Sequence, residues 1–260
     1  VVLHYDHGTD FDGNIQCLRS GFSSLMFDGS GLQLEENIRI SAKIAEAAHA
    51  CGITVEAELG KIPKIEDYEC FIPAEYDFSA KLPASVQHKV SALMADPDQA
   101  EEFVSRTHCD SLAVAIGSVH GMRRDIQPLN IDRLVALSER TGVPLVLHGA
   151  SGVLRTRQDA ERMGIELEPH EGTLEDAIKH GLCKINVGTE INMCLIRGMA
   201  RAFEQNPKVK DIRKVILPSF PGRGEIDLGQ LRQGGGLVVE PDRNRAGRGQ
   251  EDIGDRRSCI

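Results

Sequence analysis

A chain of 260 residues with 41% hydrophobic content is long enough to bury a full core, as one α/β barrel or two small domains. Its formal net charge of −9, with no Lys/Arg cluster interleaved with aromatics, argues against a nucleic-acid partner, so any anionic substrate must be held by local groups. The seven cysteines are scattered and contain no CxxC pair, which argues against a disulfide framework and for a reducing, cytoplasmic compartment, and no apolar run approaches the ~20 residues that span a membrane.

In chain order, the apolar pattern predicts strands over residues 1–5 (VVLHY), 22–27 (FSSLMF), 53–57 (ITVEA), 112–116 (LAVAI), 144–148 (PLVLH) and 183–187 (CKINV). Helical patterns such as EENIRISAKIAEAAHACG separate them. Apolar strands alternating with amphipathic helices imply a parallel sheet covered by helices, with chemistry at the carboxyl ends of the strands. The polar residues follow that rule: Asp6 and His7 end the first strand, Asp28 the second, Glu58 the third, His148 the fifth and Asn186 the sixth, while His120 follows the fourth. A Rossmann arrangement fits less well, because no GxGxxG follows the first strand.

The expected fold is therefore α/β, a TIM (β/α)8-type barrel with six parallel strands evident. Two features bear on its extent. The chain opens at Val1 inside a strand pattern, without an initiator Met, so an N-terminal piece carrying two strands is expected to be missing. Apolar periodicity stops near Pro218, which sets a barrel domain over residues 1–217 and a disordered or atypical tail over 218–260.

His7, His120 and His148 each sit at or just past the end of a short apolar run. Side chains so placed can converge on one metal ion; three imidazoles with a fourth position open is the arrangement of a catalytic zinc site. Asp6, directly before His7, supplies a carboxylate for proton transfer beside that metal. A single histidine ending a strand is usually structural, and only the threefold recurrence favours ligation. His4 lies inside the first strand and is read as a packing residue.

The ordered segments LHYDHG, FDGS, EENI, VEAELG, LAVAIGSVHG, PLVLHGASG and KINVGTEI closely resemble the signature segments of the zinc-dependent class II ketose-bisphosphate aldolases, over roughly residues 1–217. The resemblance implies Zn2+ on His7, His120 and His148, a proton-transfer carboxylate at Asp6, and secondary carboxylates at Asp28 and Glu58. It also implies a second acid/base at Glu66, in a loop that closes over substrate. Phosphate recognition would fall to Gly121, Gly149, Ser151, Gly152, Asn186 and Thr189, and a monovalent cation (Na+ or K+) to the carbonyls of Val119, Gly121 and Gly149. The implied partner is a phosphorylated ketose, and the implied assembly a homo-oligomer, dimer or tetramer. Aldol cleavage places negative charge on the departing triose, which a Lewis-acidic metal absorbs without a Schiff-base lysine.

This sequence departs from the family in places. Pro63 and Lys64 stand where glycines are usual, which stiffens the loop carrying Glu66, and segments 70–92 and 155–172 are longer than the usual connections. Ala150 and Gly188 lean toward the tagatose-bisphosphate branch. Two other readings stay open: a truncated, non-catalytic aldolase remnant, and another metal-dependent barrel hydrolase. The second expects an HxH pair on the first strand, where this chain has HYDH.

Overall fold

The computed structural model describes residues 2–72, 76, 81–122 and 124–219. Six strands form one parallel sheet: β1 (His4–Gly8), β2 (Ser24–Phe27), β3 (Thr54–Leu59), β4 (Ser111–Val114), β6 (Leu145–Leu147) and β8 (Leu182–Ile185). Their order in the sheet is their order in the chain, with no reversal of the kind that defines a doubly wound sheet. Two short strands, β5 (Leu129–Asn130) and β7 (Glu171–Gly172), pair antiparallel outside it.

Six strands laid flat at ~4.8 Å spacing would set β1 and β8 ~24 Å apart. Instead Lys184 Nζ on β8 lies 3.3 Å from His4 Nε2 on β1, and Asn186 Nδ2, just past β8, donates to Asp6 Oδ1 at 3.0 Å. The sheet is rolled, so side chains from its first and last strands meet across the concave face. This is the α/β, TIM-barrel type of fold expected from the sequence.

The period-two alternation of strand side chains separates the faces. Leu25, Phe27, Val55, Ala57, Leu59, Leu112, Val114, Leu145 and Leu147 are buried in the apolar clusters against the outer helices. Those helices include α1 (Phe11–Arg19), α2 (Leu34–His49), α4 (Pro97–Thr107), α5 (Ile131–Thr141) and α7 (Leu174–Lys179). The intervening residues face inward: Met26, Ala113 and Val146 form a small separate cluster, and Glu56, paired in register with Met26, lies on the same face. Local signals start the helices, with Asp10, Asp96 and Asn130 capping α1, α4 and α5, and Thr173 and Asp176 forming a capping box on α7.

The strand boundaries differ from the sequence reading mainly in β1. Residues 1–5 were expected, but pairing with β2 runs from His4 to Gly8, while Val2 and Leu3 are about half exposed. The apolar VVL run is less decisive than the ladder available to HYDHG.

The two long connections have ordered parts. Leu82 and α3 (Ala84–Ser91) from the first, and Ala160 of α6 (Arg157–Met163) with Ile165 from the second, share a compact cluster with Val119, Met122, Ile126 and Leu154. A salt bridge of 2.5 Å between Lys81 and Glu171 ties the two segments together. At the far end, α8 (Thr189–Gln205) is followed by α9 (Arg213–Ser219), which passes Pro218; the tail expected over 218–260 otherwise lies outside the described residues.

Candidate metal centre at the strand ends

In a regular strand Asp6 and His7 would face opposite sides of the sheet. They do not, because the β1–β2 register shifts between Tyr5 and Gly8 and His7 adopts φ of 50°, an uncommon left-handed conformation for a non-glycine residue. The irregularity turns His7 inward beside Asp6. Its displaced backbone N–H finds Met26 Sδ at 3.3 Å rather than a ladder carbonyl.

His148 needs no such device. It follows Leu147 and falls on the inward face by simple alternation, only 1% exposed. His120 is six residues past β4 and is held by its backbone: its N–H donates to Pro63 O at 2.8 Å, and its carbonyl accepts from Ile65 N at 2.9 Å. The loop after β3 is thus pinned to the histidine loop at its beginning.

The three imidazoles meet. His7, His120 and His148 each offer a ring nitrogen, and these atoms lie within 4.8 Å of one another; one oxygen each from Asp28 and Glu58 makes a similar group with His7. His7 Nδ1 donates to Asp28 Oδ2 at 2.9 Å, and His148 Nε2 donates to Glu56 Oε1 at 2.8 Å. With those nitrogens protonated, the remaining ones, His7 Nε2 and His148 Nδ1, face each other at 2.9 Å. Two neutral imidazoles in this pose turn lone pairs together, which a shared proton or cation relieves. Ligands of one tetrahedral zinc stand ~3.3 Å apart, close to this separation.

Two orphaned atoms argue for the cation. Five buried side-chain polar atoms among the described residues lack a hydrogen-bond partner, and two of them are His120 Nε2 and Glu58 Oε2, at this centre. Burial, reinforced by His7 and His148, pulls His120 down to about 4, which favours the neutral imidazole that a metal requires. Burial also pushes the Glu58 carboxyl up to about 8, with the Asp28 charge adding to the effect. The hydrogen bond to Asp28 raises His7 above its ordinary value, against its burial. The donor set is imidazole nitrogen and carboxylate oxygen, which suits zinc or a similar divalent ion.

Around the centre, Asp6 is half exposed and held by Asn186, whose Nδ2 is also 3.0 Å from His148 Nε2. Glu66 is the second residue of a 3-10 turn over Ile65–Phe71, and a Cβ on Gly121 would come 3.0 Å from its Oε1, so its carboxylate lies over the residue next to His120. Gly149 packs on the backbone of Val119 and His120, and its φ of 66° suits glycine. Ser151 accepts from Glu190 N at 3.3 Å, beside Thr189 at the start of α8, and Gly152 donates to Asp125 Oδ1 at 3.2 Å.

Sequence reasoning missed three participants. Glu56, 2% exposed, orients His148 and pairs with Lys184 Nζ at 2.6 Å; His4, read as packing, instead bonds Ser24 Oγ at 2.8 Å through Nδ1 and approaches Lys184 through Nε2. The signal was present in ITVEAELG: Glu56 and Glu58 are two apart and so share the inward face.

A rolled parallel sheet with a cluster of histidines and carboxylates at its strand ends defines a (β/α)-barrel type of fold with a candidate metal centre. The family model for class II fructose-bisphosphate aldolase matches residues 1–222, and the chain belongs to that family. The chain is 35% identical over 233 residues to a fructose-bisphosphate aldolase from Thermus caldophilus, covering 87% of this chain and 71% of that one. It is 34% identical over 235 residues to one from Geobacillus stearothermophilus, covering 90% and 70%. Among solved structures, the YdjI aldolase of Escherichia coli K12 matches with a TM-score of 0.56 and 33% identity, covering 83% of this chain and 64% of that one. The chain therefore spans roughly two thirds to seven tenths of the length of these relatives.

Proposed function

We propose that this chain carries the active site of a zinc-dependent ketose-1,6-bisphosphate aldolase, which cleaves its substrate reversibly to dihydroxyacetone phosphate and glyceraldehyde 3-phosphate. The observation that carries the reading is the convergence of His7, His120 and His148 from three separate segments, with Asp6 beside them. Zinc held by these three histidines would supply the Lewis acidity that stabilises negative charge on the substrate oxygens.

The protein's own residues do the rest. Asp6, oriented by Asn186 and open to solvent, removes the proton from the hydroxyl next to the breaking carbon–carbon bond. Glu66, above Gly121, exchanges the proton at the carbon that becomes the nucleophile. Asp28 and Glu56 fix the rings of His7 and His148, and Glu58 stands as a further carboxylate at the metal. Gly121, Gly149, Ser151, Gly152, Asn186 and Thr189 receive the phosphorylated substrate, and the carbonyls of Val119, Gly121 and Gly149 hold Na+ or K+. Ala150 and Gly188 lean toward the tagatose-bisphosphate and broader ketose-bisphosphate branch, and both fructose and tagatose 1,6-bisphosphates are candidate substrates. A homo-oligomeric, cytoplasmic enzyme fits this reading; Cys17, Cys51, Cys70, Cys109 and Cys183 form no disulfide, and no described helix is long and apolar enough to cross a membrane.

The test is zinc content together with cleavage of fructose and tagatose 1,6-bisphosphates, with and without a chelator. Chelator-sensitive cleavage with one zinc per chain is expected. Zinc without cleavage would point to the non-catalytic remnant, and a zinc-dependent hydrolysis instead of cleavage to the alternative barrel enzyme.

A further inference from the structure

Arg155 stands just past the Ser151–Gly152 turn, and its guanidinium is engaged by two carboxylates. Nε donates to Asp125 Oδ2 at 2.7 Å, and Nη2 donates to Glu190 Oε1 and Oε2 at 2.8 and 2.9 Å. The same two acids reach back to the turn: Asp125 Oδ1 accepts from Gly152 N, and the Glu190 N–H donates to Ser151 Oγ. This closed set ties three segments together: the loop at Asp125, the turn after β6 and the first residues of α8. It borders a cavity of about 230 Å³ whose lining includes Ser151, Gly152, Thr189, Arg124 and Arg197.

The arrangement poses an electrostatic problem. The hydroxyls of Ser151 and Thr189 and the guanidinium groups of Arg124 and Arg197 suit an anion, yet Asp125 and Glu190 place two negative charges on the same cavity wall. Unmasked, those two charges would offset the attraction of Arg124 and Arg197 for an entering phosphoryl group. Arg155 is the residue that meets both. Its planar fork also fixes their positions in a way the single ammonium of a lysine does not.

We propose that Arg155 is a positioning residue for the phosphate end of the substrate: by offsetting one of the two charges of Asp125 and Glu190 and holding both against the Ser151–Gly152 turn, it makes this cavity receptive to a phosphoryl group. The proposal rests on the aldolase reading for the identity of the substrate, while its electrostatic content concerns phosphate alone. Asp125 and Glu190 are the masked charges, and removing one of them should substitute for the mask.

The test compares the wild type with Arg155→Met, Glu190→Gln and the double variant, measuring calorimetric binding of inorganic phosphate and the kinetics of fructose 1,6-bisphosphate cleavage. Arg155→Met is expected to weaken phosphate binding and raise KM about tenfold, with a much smaller change in kcat, since one unmasked, partly screened charge is at stake. The double variant should recover most of that loss, which a merely structural role for Arg155 would not permit. Glu190→Gln alone should bind phosphate more tightly than wild type, because it frees part of the Arg155 charge, and it decides the matter if Arg155→Met does not fold. Unchanged phosphate binding in a folded Arg155→Met, no recovery in the double variant, or weaker or unchanged binding in Glu190→Gln would overturn the proposal while leaving wild-type cleavage intact. If phosphate affinity follows the expected order but wild type cleaves neither sugar bisphosphate, the aldolase reading falls and the phosphate subsite stands.

Discussion

Nε2 of His148 lies 2.8 Å from Oε1 of Glu56, deep on the concave face of the sheet, and the carboxylate's other oxygen lies 2.6 Å from Lys184 Nζ. Burial opposes the charge on Glu56, but the His148 hydrogen bond and the Lys184 ammonium hold its carboxyl down to about 2. An ionised acceptor at Nε2 fixes the proton there and turns the Nδ1 lone pair toward His7.

Glu56→Ala should therefore lower zinc affinity by ~10–100-fold, the usual effect of removing a carboxylate that orients a metal-bound histidine. Glu56→Gln should fall between the variant and wild type, because an amide oxygen still accepts from Nε2 without the charge. Competition against a chromogenic chelator gives the order directly. Equal affinities across the three proteins would show that His148 is oriented by other contacts.

Glycine at 152 is required by both space and conformation. Its φ is 99°, and a Cβ there would come 2.1 Å from Met122 Cβ. Gly142, which ends α5 at φ of 65°, has open space around it. Gly142→Ala should cost ~1 kcal/mol from conformation alone, whereas Gly152→Ala adds overpacking of ~1–3 kcal/mol. Thermal melts should place the Gly152 variant several degrees below the Gly142 variant. Equal melting temperatures would mean that Met122 moves aside freely.

The fold was legible because its strands are short apolar runs separated by amphipathic helical patterns, signals that depend on neighbours in sequence. All six sheet strands were recognised, with β1 displaced by the VVL run. The ligand cluster was legible for a related reason: strand ends converge in a rolled parallel sheet, so His148 and Glu58 announce their direction. His7 was found by its place at the end of an apolar run, although alternation alone would turn it outward and only the bulge brings it in. Glu56, Lys184 and His4 were missed because their partnership crosses the barrel interior, joining residues up to 180 positions apart. The β5–β7 pair, with two residues on each side, is too short to leave a periodic signal.

The cysteines should differ sharply in reactivity. Burial pushes the Cys109 thiol up to about 12, while Cys51 is exposed. The thiolate is the nucleophile, so at pH 8 only ~10⁻⁴ of Cys109 is reactive, apart from its lack of access. Iodoacetamide followed by mass mapping should label Cys51 in the native protein and Cys109 only after denaturant is added. Native labelling of both at similar rates would contradict the burial of Cys109 under β4.

Asp6 and His148 separate proton transfer from metal binding. Asp6 is half exposed and bonded to Asn186, whereas His148 directs a ring nitrogen at the shared centre. Asp6→Ala should retain zinc and lose turnover by at least the ~10²-fold expected for removal of a general acid/base. His148→Ala should lose zinc and turnover together, and excess zinc should restore neither in full, because two imidazoles remain where three are needed. Metal analysis of the two dialysed variants, with cleavage rates from the same samples, gives the comparison. Comparable zinc loss in both would place Asp6 among the ligands, and near-normal cleavage by Asp6→Ala would move the proton-transfer role to another carboxylate at the site, with Glu66 the first to examine.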